Sequence, residues 1–551
     1  MLLGMAQLLP ATVAAAGFDP PGVLSPLPPM GFNNWARYMG GLNESLFVDT
    51  AEAMVSKGLL EAGYNRINLD DEWSLMERLP NGSMQWDPVK FPRGLSWLTD
   101  FLRSKGFIPG IYTDAGNKSC AGFPGAYDYE ETDARDFVNW GFEYLKLDGC
   151  NMPDTTEETY RAVYGKWHDI LSSMYPSQMV FSESAPAYFA EAENLTDWYA
   201  VMGWVPQYGQ LARHSRDTLV WNSTNYWPDI TGWDSVMFNY GQEVRLARFQ
   251  RPGYVNDPDF LNVDHFDYTL DEKRSHFALW CSFSAPLILS TDVLTLTDAE
   301  VDYLTNRDLI AVDQDSLVQQ ATLLSQDEHW DVLTKGLYNG DRLVTVLNKG
   351  NTSDDLEISW TRIGIFTEDL PTPSSINIKD LWTGVSTTVS LSKAGGIKAT
   401  AVPAHGTAVF RLSNPTPGEA IRTIPTGIIF NTYSLHCLTD SRNGTVEWTD
   451  CTGSDAQVWR VKQDSHIDSL LQLGSGSCLS VEAGRVVSSA SGCAAETGKR
   501  WDYFISGNLI DAASGLCLTE DLDGGTASAK VEECGYLTNE QVVALPIGVV
   551  I

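Results

Sequence analysis

Tyr144-Leu-Lys-Leu-Asp-Gly-Cys150 is a short apolar run that stops at a carboxylate and is followed at once by glycine. On a β-strand, residues two apart point to the same side. Lys146 and Asp148 therefore face one way, and the charge on Lys146 favours the ionised form of Asp148. The same rhythm recurs on both sides of this stretch. Apolar runs at 64–69, 107–112, 142–147, 179–182, 199–205 and 286–290 end in polar or charged residues, and amphipathic stretches such as 46–62 and 95–105 lie between them. Strands alternating with helices predict a parallel α/β domain, and its extent, residues 28–317, suits a (β/α)8 barrel. A doubly wound sheet would need a glycine-rich phosphate loop after its first strand, and the chain has none there. Catalytic groups of a barrel collect at the C-terminal ends of its strands. Asn68-Leu-Asp-Asp-Glu72 and Lys146-Leu-Asp148 fall there, which makes Asp70, Asp71, Lys146 and Asp148 candidate site residues.

After residue 317 the pattern changes. Residues 342–347, 356–360 and 407–412 read as short strands between turn signals, so 318–413 is expected to form an antiparallel β-sandwich. A linker over 414–423 follows, opened by the stretch Ser413-Asn-Pro-Thr-Pro-Gly418. From 424 to 551 the chain repeats itself. Cys437-Leu-Thr, Cys478-Leu-Ser and Cys517-Leu-Thr recur 41 and 39 residues apart. Each is followed by a second cysteine (Cys451, Cys493, Cys534) and a hydrophobic close: Gln457-Val-Trp459, Lys499-Arg-Trp501 and Gln541-Val-Val543. A period near 40 means stacked similar units. This segment resembles the ricin-B-type β-trefoil lectin module, with its three repeats and Gln-x-Trp motif. The first copy fits that pattern and the other two are degenerate. The resemblance implies carbohydrate binding, with Asp440 and Asp450 as acids that could reach a sugar; a trefoil with no working sugar site is the rival reading.

The 551 residues are too many for one core, and 43% are hydrophobic, so each domain can bury its own. A formal net charge of −34 argues against nucleic acid and against an anionic membrane surface. It suits a protein that binds a neutral ligand. Residues 1–16 are apolar and end in small residues, as a signal peptide does, although no basic residue precedes the apolar run. Seven Asn-X-Ser/Thr sequons, at Asn43, Asn81, Asn117, Asn194, Asn222, Asn351 and Asn443, favour a glycosylated, secreted, extracellular protein. Six of the nine cysteines lie after residue 430 and read as a disulfide framework taken in order. Zinc would call for CxxC or HxxxH spacing, which is absent.

Several further segments carry a family resemblance. They are Pro28-Pro-Met-Gly-Phe-Asn-Asn-Trp35, Leu69-Asp-Asp71, Gly110-Ile-Tyr112, Tyr144–Cys150, Asn256-Asp-Pro-Asp-Phe-Leu261, and the stretch from Ala285-Pro-Leu to Ile310-Ala-Val-Asp-Gln314. In their order and length these resemble the family of α-galactosidases and α-N-acetylgalactosaminidases, a retaining, metal-independent barrel group, over about residues 28–413. The resemblance implies no cofactor and a galactose-containing carbohydrate substrate, hydrolysed by double displacement. It implies Asp148 as nucleophile, Lys146, Asp70 and Asp71 on the sugar hydroxyls, and Trp35 and Tyr112 against the sugar face. It also implies a disulfide between Cys120 and Cys150 beside the pocket. The family carries its acid/base in Trp-Arg-x-x-x-Asp-Ile after the sixth strand. Here Arg213-His-Ser-Arg-Asp217 keeps the Arg-to-Asp spacing but has Ala212 and Thr218 at the flanks. Asp217 is therefore the expected acid/base, with Arg213 touching both sugar and acid. The alternative is Asp229 in Trp227-Pro-Asp-Ile230. Asp257 and Asp259 read as structural carboxylates. Glu72 and Gly40 stand where many members have a cysteine pair, and Cys281 is left as a buried free thiol.

The loop Ser182-Glu-Ser-Ala-Pro-Ala-Tyr188 bears on the sugar. Relatives acting on galactose tend to place Glu and Leu where Ser184 and Ala187 fall, and those acting on N-acetylgalactosamine place Ser and Ala. A register shift of one would bring Glu183 to that place. Three readings follow: an exo-acting α-galactosidase first, an α-N-acetylgalactosaminidase second, and a catalytically dead sugar-binding protein third.

Overall fold

The structure, a computed structural model, describes residues 24–174, 179–219, 230–366, 375–392, 395–441, 443–462, 465–493, 500–524 and 527–546. Residues 1–16 and Asp229 lie outside these residues, as do Asn222 and Lys499. Eight parallel strands open the fold: β1 (Met30–Asn33), β2 (Arg66–Asn68), β3 (Ile108–Asp114), β4 (Tyr144–Asp148), β5 (Val180–Glu183), β6 (Leu211–Arg213), β7 (Val255–Asp257) and β8 (Leu287–Leu289). Their order is β7-β6-β5-β4-β3-β2-β1-β8. A parallel bridge from Leu261, just after β7, to Leu289 joins the two ends and closes the barrel. Helices such as Leu95–Lys105, Glu130–Trp140 and Leu270–Phe283 follow the strands and turn apolar faces inward.

Two local expectations are corrected. Residues 199–205 are not a strand; they lie in the helix Thr196–Tyr208. Its buried side chains include Trp198, Val201, Met202 and Val205, the three-and-four spacing of one helix face. A short, wholly apolar run cannot separate that pattern from a buried strand. The sixth strand is the three-residue Leu211–Arg213 instead. The helix expected over 46–62 breaks into Glu44–Ser56 and Leu59–Ala62, because Gly58 takes a φ of +77°, a left-handed conformation that ends helices.

The second domain packs a six-stranded antiparallel sheet against the two-stranded pair Asp354–Ser359 and Gly396–Val402. A separate apolar cluster, including Val344, Val346, Ile358, Trp360 and Ile397, fills the space between them. The third domain is the trefoil, stapled by Cys437–Cys451, Cys478–Cys493 and Cys517–Cys534. Its repeat motif has a structural cause. Trp459 Nε1 donates to the Leu438 carbonyl and Trp501 Nε1 to that of Leu479, tying the close of each repeat to its Cys-Leu strand. Gln457 and Gln541 each donate to the threonine two residues after their repeat's first cysteine. Asp440 is fully buried and cannot reach a sugar, whereas the Asp450 side chain is 96% exposed.

The trefoil is docked on the barrel rather than trailing behind a tether. Phe430, Ile428, Val542 and Ala544 belong to the barrel's own apolar cluster. Asn539 bonds Leu195 N and Glu193 O, and the buried Tyr199 hydroxyl lies 2.9 Å from Thr432 Oγ1.

Candidate active site

Six strands deliver polar side chains to one cavity of about 260 Å³. Trp35 follows β1, Asp70 and Asp71 follow β2, and Tyr112 lies on β3. Lys146 and Asp148 lie on β4, Ser184, Ala187 and Tyr188 follow β5, and Arg213 ends β6 with Asp217 four residues on. Period-two alternation puts Lys146 and Asp148 on one side of β4, and register sets Tyr112 beside Lys146 and Asp114 beside Asp148.

The Lys146 charge favours ionised Asp148, as expected, although the direct ion pair of Lys146 is with another carboxylate. Lys146 Nζ donates to Asp70 Oδ2 at 2.8 Å, and that oxygen also accepts from Asn33 Nδ2 at 2.7 Å. Asp148 is held instead by the Tyr188 hydroxyl at 2.5 Å and by Gly149 N at 3.1 Å, both on Oδ1. Burial pushes the Asp148 carboxyl above its usual range; the Lys146 charge and the Tyr188 hydrogen bond offset this only in part. Tyr160 and Tyr164 donate to the carbonyls of Gly149 and Leu147 and so fix the turn that carries Asp148. Burial also raises Asp71, whose Oδ2 accepts from Ala121 N at 3.0 Å.

Asp217 is half exposed at the cavity rim and accepts from Arg213 Nη2 at 2.7 Å. Enclosure raises its carboxyl, but the Arg213 charge and hydrogen bond, with the Lys146 charge behind them, outweigh this and hold it below the ordinary range. Asp148 and Asp217 therefore sit in one cavity with opposite tendencies. Such a pair shares its protons and titrates as a unit. Asp259 holds both ends of the segment that presents Asp217. Its Oδ1 pairs with Arg213 Nη1 at 2.8 Å, and its Oδ2 accepts from Thr218 N and Oγ1 at 2.6 and 2.8 Å.

The loop after β5 has a definite register. Ser184 and Ala187 line the cavity, whereas Glu183 is fully buried and does not line it. Cys120 and Cys150 form the disulfide beside the pocket, with Cys150 Sγ 3.3 Å from the Tyr188 hydroxyl. Gly40 and Glu72 do meet: a Cβ built on Gly40 would fall 1.9 Å from Glu72 Oε2. Lys90 Nζ donates to the backbone carbonyls of both. Cys281 is a buried free thiol.

Sequence reading missed three residues. Asp114 accepts from Gly116 N and Cys150 N and is pushed up by burial and by the charge of Asp148. The same two-residue spacing that singles out Asp148 after Lys146 would have found Asp114 after Tyr112. Ser215 and Arg216 line the cavity, which Asp114 does not; they fall at the variable positions of the Arg213–Asp217 motif and so carried no signal of their own.

Comparison with known proteins matches all three domains. The family model described as Alpha galactosidase A matches residues 27–315. The Alpha galactosidase C-terminal beta sandwich domain matches 327–412, and the Ricin-type beta-trefoil lectin domain matches 425–542. Alpha-galactosidase A of Aspergillus niger is 48% identical over 554 residues, covering 98% of this chain and 96% of that one. Among solved structures, α-galactosidase I of Mortierella vinacea superposes with a TM-score of 0.62 at 27% identity, covering 72% of this chain and 98% of the other. The Saccharomyces cerevisiae α-galactosidase with raffinose gives 0.60 at 26% identity, covering 70% and 97%. With the barrel, the sandwich and the trefoil each matched and a relative aligned over nearly its whole length, the chain belongs to the α-galactosidase family of glycoside hydrolases.

Proposed function

We propose that this α-galactosidase is a secreted, retaining exo-enzyme acting by double displacement, with Asp148 as nucleophile and Asp217 as acid/base. The observation that carries this reading is the placement of both carboxyls on one small cavity, Asp148 half-buried and bonded to Tyr188 and Asp217 at the rim beside Arg213. In the first step Asp148 attacks the anomeric carbon while Asp217 gives its proton to the departing glycosidic oxygen, leaving a galactosyl ester on Asp148. In the second, Asp217 takes a proton from water, the water oxygen attacks the same carbon, and Asp148 leaves as carboxylate. Two inversions give net retention. Asp70, Asp71, Lys146 and Arg213 bind the sugar hydroxyls, and charged partners make such bonds strong. Trp35 and Tyr112 pack on the ring.

Terminal α-galactose on oligosaccharides such as raffinose, on polysaccharides and on glycolipids is the substrate class. A second reading, N-acetylgalactosamine, has its own support: Ser184 and Ala187 are small where they line the cavity, which leaves room for a 2-acetamido group. Hydrolysis of p-nitrophenyl α-galactoside beside its 2-acetamido analogue separates the two. Faster turnover of the 2-acetamido substrate would reverse the preference. The trefoil is a carbohydrate-binding module. Secretion is supported by four disulfides and by the exposure of all six sequon asparagines among the described residues. No helix among the described residues is long and apolar enough to cross a membrane.

A further inference from the structure

A second cavity, of about 210 Å³, lies where the three domains meet. It shares no lining residue with the catalytic pocket. Arg245 and Arg248 enter it from the barrel, just past the helix Gly232–Glu243; Gln319 lies on the segment leading into the sandwich; Phe430 and Tyr503 come from the trefoil. On a chain with formal net charge −34, a buried cation is expected to find a carboxylate, as Lys146 and Arg213 do. These two arginines do not. No Asp or Glu lines the cavity, and neither guanidinium has an acidic partner among the described residues.

Their remaining contacts leave donors to spare. Arg248 donates Nε to the Ile505 carbonyl at 3.0 Å and Nη1 to the Arg245 carbonyl at 2.8 Å, and its side chain also bonds Tyr503; its buried Nη2 makes no hydrogen bond of regular geometry. Arg245 donates Nε to the Gly241 carbonyl at 2.9 Å. Burial draws both guanidinium groups below their ordinary pKa, the mark of a desolvated cation without a counter-charge. A charge drawn partly out of water in this way is costly unless something pairs it. The guanidinium fork is matched in shape by the two oxygens of a carboxylate or phosphate.

We propose that this three-domain cavity is a binding site for a small oxyanion, inorganic phosphate or the carboxylates of a small organic acid, held by Arg245 and Arg248 with Gln319 and Tyr503 at its walls. The site is independent of the catalytic assignment. Because its walls come from three domains, an occupant clamps trefoil to barrel. Any ligand bound only to the folded arrangement stabilises it by mass action, along a concave curve that rises as the logarithm of its concentration above the dissociation constant.

The test is calorimetric unfolding of the full chain at fixed ionic strength, with sodium phosphate or sodium citrate replacing sodium chloride step by step. In the wild type the midpoint should climb along a concave, logarithmic curve with one of the two anions. A curve that bends at lower concentration with phosphate identifies an inorganic occupant, and with citrate an organic acid. In Arg245→Met/Arg248→Met only the linear response common to excluded salts should remain. Gln319→Glu supplies an internal counter-charge and keeps the oxygen that accepts from Gly336 N. It should unfold at a higher midpoint than wild type without added anion and lose the concave response. Equal concave responses in wild type and Gln319→Glu, or none in wild type, would overturn the proposal. Should the double arginine variant fail to fold, the Gln319→Glu comparison decides it.

Discussion

Replacing Tyr188 with phenylalanine removes one oxygen from the pocket and keeps the ring, which packs on Tyr160 with centroids 5.5 Å apart. The lost hydroxyl is the donor of the 2.5 Å hydrogen bond to Asp148. Burial raises the Asp148 carboxyl and this bond lowers it, so losing the bond raises it further. A hydrogen bond to a charged group contributes about 1.5–3 kcal/mol and one pKa unit corresponds to about 1.4 kcal/mol. The expected rise is therefore about 1–2 units. The competent form has Asp148 ionised and Asp217 protonated. In acid, where both carboxyls are protonated, its fraction is the Asp148 dissociation constant divided by the proton concentration. That holds whichever carboxyl keeps the last proton. In alkali, where both are ionised, the fraction depends only on the proton affinity of Asp217. For Tyr188→Phe, kcat/KM on p-nitrophenyl α-galactoside should fall about 10- to 100-fold along the acidic limb and stay close to wild type along the alkaline limb. A uniform loss at every pH, or an unmoved acidic limb, would refute the reasoning.

Asp217→Ala should lose most rate on substrates with poor leaving groups, and azide should restore part of it on activated ones; the same pattern in Asp229→Ala instead would move the acid/base there. Asp259→Asn keeps an oxygen but loses the charge that faces Arg213; kcat/KM should drop by about tenfold or more, most for poor leaving groups, and an equal drop for all substrates would make Asp259 merely structural. A chain ending at residue 413 should unfold at a lower temperature and bind apolar dyes, since burying one side chain such as Phe430 is worth about 1.5–3 kcal/mol and several trefoil residues pack in the barrel's cluster. An unchanged midpoint would mean the trefoil is only tethered.

The nucleophile strand was readable because Tyr144–Asp148 carries its strand pattern and its chemistry in the same five residues. The trefoil was readable because its cysteines repeat and its Gln-x-Trp residues bond back to the repeat's first strand. The region around Asp217 was harder. Its strand is only three residues long and follows a helix whose apolar run mimics a strand. The pairing of Lys146 with Asp70 rather than Asp148 depends on a contact between residues 76 apart in sequence, which no local pattern encodes. The docking of the trefoil is likewise invisible in sequence, because the Pro- and Gly-containing connection reads as a linker whatever surface its ends bury.

The central claim, Asp148 as the residue that takes the sugar, has a direct measurement. A 2-deoxy-2-fluoro α-galactosyl donor with an activated leaving group slows release of the glycosyl-enzyme, and peptide mass spectrometry then locates the bound sugar. The expected result is one fluorogalactosyl group on the peptide containing Tyr144–Asp148, fragmenting to Asp148, and no label in Asp148→Asn. A label on Asp217 or any other carboxylate, or hydrolysis that inverts the anomeric centre, would contradict the account.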